Sequence, residues 1–406
     1  MLRGQVVLVG VLSTILGICE AATACPFCPP SSPPLAEQLA ESDAAVLATW
    51  VRIIPAKSET EFPETVFRVK EVERDKTGKL KPGAEITVNF ERQGNPGDTF
   101  FLMGKVDQEF TQWGQPLEVT EVSYGYIRAL PSPEQPAINR LRHFLKFFEV
   151  HDRLIANDAF SEFSRAKYED VVAIQKNLPR DKLRHWLRDP ETDPVRLGFY
   201  AMLIGLCGDQ SDAEYLWSRF EKPPGKDELR ISVDGMMGGY LLLTGEAGFA
   251  RLIQTKLRPA DVADSDVMAV VNALRFLWEY APQSVPREHV AVAMQVVLQR
   301  PAFAELALVD LARWKAWDAT EAVLAWMGRA PFDVPASQAK LVQFARACLK
   351  DDSAEADADA KANCQTFLDH LQREQPDTWQ AIERVLNPRV RKPNTNVFDH
   401  PPAKAP

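Results

Sequence analysis

The first part of the chain, residues 44–130, shows the alternation of apolar and polar positions that is typical of β-strands. The clearest segment is 85–91, in which Ile86, Val88 and Phe90 would face a core while the polar residues between them face water. Four more segments are rich in β-branched or aromatic residues, and turn residues separate them: 46–54, 65–72, 99–103 and 117–127. The pattern therefore predicts five strands.

Five short strands in one stretch of chain suit a small Greek-key barrel. The second strand would carry a bulge, because Lys70 and Glu71 interrupt its alternation. Segment 99–103 is apolar on both faces, so we expect it at the centre of the sheet.

After about residue 133 the apolar positions change to the spacing of an amphipathic helix. Turn residues then recur about every 36 residues, at 208–209, 245–246, 282, 317–318 and 351–352. A period of this size is typical of stacked helical hairpins, and a non-repetitive helical bundle is the alternative. The segment 193–220 resembles a HEAT-type repeat, with Asp193 as the cap of a helix that begins at Pro194.

Two groups of bulky residues in the helical part are interpreted as packing residues. Trp314, Trp317 and Trp326 recur at helical spacing, which favours a core over a ligand-binding box. Met236 and Met237 stand between two glycines, which indicates a close helix crossing in preference to a thioether metal site.

The first residues have the features of an export signal. Arg3 precedes a mainly apolar stretch at 6–18, and Ala22 and Ala24 supply the small-x-small pattern of a cleavage site. The mature protein would then begin near Cys25 in an oxidising compartment, where disulfides persist. Lipid attachment at Cys25 is an alternative, and no apolar run is long enough to predict a transmembrane helix.

The cysteines favour structural roles. Prolines follow Cys25 and Cys28 at once, whereas a thioredoxin-like site needs a helix after its Cys-x-x-Cys motif. We therefore favour a local disulfide or a pair of structural thiols, and keep thiol redox exchange or soft-metal handling as the alternative. Cys348 and Cys364 flank a polar turn and would form a disulfide between antiparallel helices, leaving Cys207 as a free thiol.

The composition and the absence of known motifs argue against several functional classes. The 406 residues suffice for two or more domains, and 46% hydrophobic with 25% charged residues is an ordinary balance for a soluble globular protein. The net charge of −9 argues against a broad nucleic-acid surface, which needs clustered Lys and Arg. The sequence contains no nucleophile elbow, phosphate loop, dinucleotide fingerprint or metal-ligand motif, so it predicts no enzyme activity, cofactor or metal.

The order of features in residues 25–130 resembles the netrin-like module, an OB-type barrel that also occurs in tissue inhibitors of metalloproteinases. The resemblance rests on four segments: CPFC at 25–28, ESDAAVLATWV at 41–51, TVFRVKEVERDKTGKLKPGAEITV at 65–88 and GDTFFLMG at 97–104. The family's N-terminal cysteines bond to cysteines of the barrel, which this barrel lacks, and its inhibitors begin with Cys-x-Cys. Protease inhibition is therefore not implied. With the leader and the helical repeats, the whole order resembles an uncharacterised family of exported bacterial proteins.

Together these features predict an α+β multidomain protein. Its parts would be a signal peptide at 1–24, a five-stranded OB-like β-barrel at 25–132, a HEAT-like helical-repeat domain at 133–388 and a disordered tail at 389–406. We expect a non-enzymatic binding or scaffold protein, periplasmic or extracellular, that contacts a protein partner and no nucleic acid. The alternative function is thiol redox or soft-metal handling through Cys25 and Cys28.

Overall fold

The structure, a computed structural model, describes residues 27–28, 32–56, 58, 62–108, 110–225, 230–353 and 355–387. The chain divides into two compact units, Met1–Asn177 and Leu178–Pro406, whose described residues we call unit 1 and unit 2. The boundary lies after the first helices, whereas the sequence placed it at 132, where helical spacing begins. The predicted signal peptide and tail fall outside the described residues.

The described residues of unit 1 contain one antiparallel sheet of six strands. The strands are β1 (Ala44–Ile54), β2 (Glu64–Asp75), β3 (Glu85–Val88), β4 (Thr99–Asp107), β5 (Phe110–Trp113) and β6 (Leu117–Glu118). The order is β3-β2-β1-β4-β5, and β6 also pairs with β4. The register between β1 and β2 shifts at three places and skips Lys70, which confirms the predicted bulge.

One face of the sheet carries the hydrophobic core of unit 1. In β3 its buried members alternate with exposed polar residues, as the sequence predicted for 85–91. The buried members are Val46, Ala48, Phe67, Val69, Ile86, Val88, Phe100 and Leu102. The rings of Phe67 and Phe100 meet edge to face, with centroids 5.3 Å apart. Segment 99–103 lies in β4, which is paired on both sides, and its central position is therefore confirmed.

The sheet is not closed into a barrel, so the predicted five-stranded barrel is wrong in this respect. Within the described residues β3 pairs with β2 alone, and β5 pairs with β4 alone. Each of these end strands is four residues long. Both run in the direction of β1, because each is separated from β1 by one antiparallel neighbour. They cannot form an antiparallel pair with each other.

Helices complete unit 1 and build the described part of unit 2. Those of unit 1 are α1 (Leu35–Glu41), α2 (Glu121–Arg128), α3 (Ala137–Phe144), α4 (Arg153–Ser164) and α5 (Tyr168–Ala173). Those of unit 2 are α6 (Arg180–Trp186), α7 (Pro194–Cys207), α8 (Gln210–Phe220), α9 (Val233–Lys256), α10 (Asp264–Tyr280), α11 (Arg287–Leu298), α12 (Ala304–Arg313), α13 (Thr320–Leu324), α14 (Pro335–Lys350), α15 (Ala358–Glu374) and α16 (Pro376–Leu386). A helical domain thus follows the sheet, and the α+β class is confirmed.

The strand predicted at 117–127 is wrong beyond its first two residues. A capping box starts α2 there: Thr120 Oγ1 accepts the N–H of Ser123 at 3.0 Å, and Ser123 Oγ accepts the N–H of Thr120 at 2.8 Å. These local hydrogen bonds override the β-branched and aromatic character of the segment. The fifth strand on the path β3-β2-β1-β4-β5 is β5, which the sequence analysis did not predict.

The start of α7 and the break in α9 follow the sequence signals. Asp193 Oδ1 accepts the N–H of Val195 at 3.0 Å, and Pro194 is the first residue of α7. Gly245, at the predicted turn 245–246, has φ 56° and ψ −141° and interrupts α9. The other predicted turns also coincide with helix ends or short 3₁₀ turns.

Glycines bring α7 and α9 into close contact. A Cβ on Gly239 would lie 2.0 Å from the carbonyl oxygen of Ala201, and a Cβ on Gly235 would lie 2.4 Å from the Cα of Gly198. The two methionines between these glycines are buried. The predicted close crossing is therefore confirmed.

Polar side-chain contacts join residues 34 to 38 positions apart along unit 2. We call this set the interval ladder: Asn272 to Asp234 (3.0 Å), Arg275 to Asp310 (2.8 Å), Lys315 to Asp351 (2.9 Å), Trp317 to Asp351 (2.7 Å) and Lys340 to Glu305 (2.5 Å). Trp314 and Trp317 are buried, as predicted for core residues, and Trp326 is half-buried.

Candidate binding cleft

The two end strands of the sheet line a cleft of about 600 Å³ in unit 1. Its lining comes from two stretches: Thr87, Val88, Asn89 and Phe90, and Asp107, Gln108, Phe110, Thr111, Gln112 and Trp113. The volume falls in the range of about 300–1,000 Å³ that is common for ligand sites. The sequence signal for β5 was a short segment with two aromatic residues and a β-branched one, Phe-Thr-Gln-Trp.

The hydrogen-bonding pattern shows which backbone groups of β5 face the open edge. Hydrogen-bonded and non-hydrogen-bonded residues alternate along an antiparallel pair. The N–H of Gly114 donates to the C=O of Met103 at 2.8 Å, and the register then makes Gln112 a hydrogen-bonded position. Thr111 and Trp113 are the positions between, so their backbone N–H and C=O groups point away from β4.

The same reasoning applies to β3. The N–H of Val69 donates to the C=O of Ala84 at 2.9 Å. The register then makes Ile86 and Val88 the residues of β3 whose backbone groups hydrogen-bond to β2. The backbone N–H and C=O of Thr87 therefore point away from β2. Within the part of the chain that the structure describes, the cleft is thus bordered on both sides by strand edges whose outward backbone groups have no strand partner.

The side chains of the cleft are mainly apolar or uncharged. Val88 is buried, and Trp113 packs against the core of the sheet. Gly104 makes this packing possible, because a Cβ there would lie 2.7 Å from Thr111 Cγ2. Phe110 is 77% exposed, and Asp107 is the one ionisable residue among the described residues of the lining. The cleft therefore suits an uncharged, partly apolar ligand with backbone-like hydrogen-bonding groups.

No protein-family model matches the chain, and no curated protein is significantly similar to it in sequence. Across the described residues, no single helix is both long and apolar enough to cross a membrane. One bent pair, Arg287–Leu298 with Pro301–Arg313, passes by length and composition across a bend of 118°.

A second cleft of unit 1, about 450 Å³, lies where α2 meets the sheet and is lined by charged residues. Two of its charged side chains, Glu71 and Arg128, have partners. The Tyr124 hydroxyl donates to Glu71 at 3.1 Å and also to Glu73, and Arg128 lies 3.3 Å from Glu73. Burial, followed by the hydrogen bond to Glu73, raises the pKa of Tyr124. A phenol held protonated in this way stabilises the contact between α2 and β2.

Two buried carboxylates of α4 were missed by the sequence reading. Asp158 accepts the backbone N–H of Leu35 and the hydroxyl of Tyr126, both at 2.6 Å, and so ties the start of α1 to α4. Glu162 lies 3.3 Å from Arg140, and burial raises the pKa of Glu162 to about 7. The available signal was the placement of two acids, four residues apart, on the apolar face of a helix. Neither acid lines the clefts above, so their role is to hold elements together.

Unit 2 carries an apolar groove of about 250 Å³ between the second half of α9 and α11. Phe249, Ile253, Val292 and Val296 form its walls. Val292 is 57% exposed although it is apolar. The groove is a second concave surface, with few polar groups to orient a ligand.

The predicted site cysteines fall in separate places. Cys25 lies outside the described residues, and Cys28 is half-buried and disulfide-bonded. Cys348 on α14 and Cys364 on α15 are buried free thiols. Burial raises the pKa of Cys364 to about 12. Cys207 is a free, half-buried thiol, and burial raises its pKa to about 11, which is the opposite of what a nucleophilic thiolate needs.

In the part of the chain that the structure describes, no group of three or more His, Cys, Asp or Glu side chains is placed to hold a metal ion. His143 packs against the rings of Phe144 and Phe147. Burial, together with the charge of Lys146, lowers the pKa of His143. This histidine is a packing residue of α3.

Proposed function

We propose that the protein is a non-enzymatic binding or scaffold protein that is exported and contacts a protein partner. The observation that carries this proposal is the cleft between β3 and β5. The outward hydrogen-bonding groups along its borders belong to the backbone of Thr87, Thr111 and Trp113. Asp107 is the single ionisable residue that the structure describes in its lining. Such a border suits a polypeptide ligand, whereas catalysis would need reactive side chains that converge on one point.

The strand order supports the netrin-like resemblance of unit 1. The path β3-β2-β1-β4-β5, with both end strands parallel to β1, is the arrangement of a small Greek-key barrel opened between its ends. We propose on this basis that unit 1 is an OB-like module whose open side is used for binding.

The interval ladder supports a repeat architecture for unit 2. Its contacts span 34 to 38 residues, close to the sequence period of about 36, which is the spacing expected if each contact joins corresponding positions of neighbouring hairpins. We propose a HEAT-like stack, an architecture that offers extended surfaces to protein partners. The net charge of −9 supports a protein partner over a nucleic acid.

Export is supported by the leader features and by the disulfide at Cys28, since disulfides persist outside the cytoplasm. Intact mass of the native protein tests this directly. We expect cleavage before Cys25, and a diacylglycerol adduct on that residue would establish lipid anchoring. An uncleaved, fully reduced chain would contradict export.

The alternative function is thiol exchange or soft-metal handling at Cys25 and Cys28. It predicts that the disulfide of Cys28 is reduced readily by glutathione, or that the reduced pair binds Cu(I). A disulfide that resists glutathione supports the structural role instead.

The binding proposal is tested by site-specific photo-crosslinking in the full chain. A photoreactive residue at Gln112, exposed in the cleft, should give a discrete protein adduct in envelope extract. The control is the same residue at Glu214, which is exposed on α8. No adduct at Gln112, or the same adducts at both positions, would contradict a partner in the cleft.

A further inference from the structure

We infer that the cleft binds an extended segment of a partner polypeptide as an additional β-strand, antiparallel to both β3 and β5. The inference rests on the proposed binding function and specifies the form in which the partner is bound. It follows from strand direction, from the free backbone groups and from the side chains of the cleft.

Strand direction determines what fits between the ends of the sheet. β3 and β5 both run parallel to β1. If they paired directly with each other to close the sheet, they could therefore form only a parallel pair. One further strand in the opposite direction would be antiparallel to each of them. It would also bring the main path β3-β2-β1-β4-β5 from five strands to six, and a closed, fully antiparallel ring requires an even number.

The backbone groups supply the recognition. Thr87 presents its N–H and C=O from β3, and Thr111 and Trp113 present theirs from β5. An extended segment between the strands can bond to both borders at once, as in strand addition to a sheet edge. Each end strand of four residues is about 13 Å long, so the bound segment would contribute about four to five residues.

The side chains specify the chemistry of the segment. Side chains that point to the core face would meet Val88, Phe90 and Trp113, and therefore should be apolar or β-branched. The alternate side chains would lie beside Phe110 and the uncharged Gln112. The segment should lack acidic residues, because Asp107 would repel them, and it should lack proline at positions that donate an N–H.

Hydrogen exchange of the full chain with a peptide probe provides the test. The probe is acetyl-Lys-Thr-Val-Thr-Val-Thr-Lys-amide at millimolar concentration. Its control carries N-methyl groups on alternate residues, which removes donors on one border. We expect slower exchange at the amides of Thr87, Thr111 and Trp113 with the probe, and clearly less protection of these amides with the control.

A pair of substitutions at one position separates backbone from side-chain effects. Thr111→Pro removes an outward N–H without removing a bond to β4, whereas Thr111→Val keeps the backbone and loses the hydroxyl. We expect T111P to weaken probe binding about two- to tenfold, the effect of one hydrogen bond, and T111V to bind as the natural chain does. Thr87→Pro repeats the test on β3 if T111P lowers the melting temperature.

The outcomes are distinguishable. Equal binding of the probe and its N-methylated control, or no protection at millimolar probe, overturns strand addition. An adduct at Gln112 that is unaffected by T111P keeps the binding function but also overturns strand addition. No adduct at all removes the binding function itself. A dimer in solution that T111P dissociates would make a second copy of the chain the occupant, and would overturn the inference of a different partner.

Discussion

Gly239 sets how closely α7 and α9 approach each other, because any Cβ at this residue would collide with the backbone of Ala201. We expect Gly239→Ala to lower the free energy of unfolding by about 1–3 kcal/mol, the usual cost of overpacking a tight contact. Gly125→Ala is the control. A Cβ on Gly125, in α2, meets nothing within 4 Å, so the change should stabilise by up to about 1 kcal/mol. Chemical denaturation measures both, and an equal effect of the two changes would contradict the close crossing.

Glu162 should make the stability of unit 1 depend on pH. Burial raises its pKa to about 7, above the ordinary 4.5, and Arg140 opposes the rise while Asp158 and Glu37 add to it. The folded state therefore binds the proton more tightly than the unfolded state. Its contribution to stability is full below pH 4.5 and is lost as the pH rises to about 7.

Glu162→Gln tests this dependence by removing the titrating group. The free energy of unfolding, measured by chemical denaturation between pH 4.5 and 8, should fall less steeply with pH than in the natural chain. The exposed Glu169→Gln should leave the slope unchanged. Superimposable profiles for E162Q and the natural chain would exclude the effect.

At the scale of elements, α14 and α15 pack against each other, and each carries one buried free thiol, Cys348 and Cys364. In an oxidising compartment we expect them to form a disulfide, with two protons and two electrons passing to a disulfide-exchange protein. The bridge would close a loop of about 15 residues and contribute roughly 3 kcal/mol.

Alkylation of the denatured, unreduced protein measures this pairing. Cys207 should be labelled without reduction. Cys348 and Cys364 should be labelled only after the protein has been reduced. Cys348→Ser should expose Cys364 to the reagent, whereas Cys207→Ser should leave the pair protected. Three labelled thiols without reduction would show that no bridge forms.

Local signals predicted elements well, and distant pairing was not predictable. The cap at Asp193 and the break at Gly245 depend on neighbouring residues, so the sequence contained the information. The segment after Thr120 was predicted wrongly as a strand, because a capping box starts a helix there in spite of the strand-like side chains. Whether β3 and β5 meet depends on bulges and register across the whole sheet, which no single segment records.

At the scale of the whole molecule, the interval ladder should stabilise unit 2. Asp310 is 2% exposed and accepts from Arg275 at 2.8 Å and from Arg313 at 3.0 Å. Asp310→Ala would leave Arg275 without its anionic partner, so we expect a loss of about 1–3 kcal/mol. Chemical denaturation monitored by tryptophan fluorescence measures this loss of unfolding free energy. The control is Glu214→Ala, at an exposed residue. A loss no greater than that of the control would mean that the ladder contact is dispensable.

The period of about 36 residues in the turn signals is close to the 34 to 38 residues that the ladder contacts span. The cleft and the acids Asp158 and Glu162 were not anticipated. Their neighbours come from segments far apart in the chain, such as Leu35 beside Asp158, and composition carries no trace of such contacts.

Gly245 has a backbone conformation that residues with a side chain rarely adopt, and it turns α9 just before the half that carries Phe249 and Ile253. The direction of that half of α9 therefore depends on the absence of a Cβ at Gly245. The width of the apolar groove beside α11 depends on it as well. Position 245 is a point at which one substitution would reshape a surface without altering any residue on it.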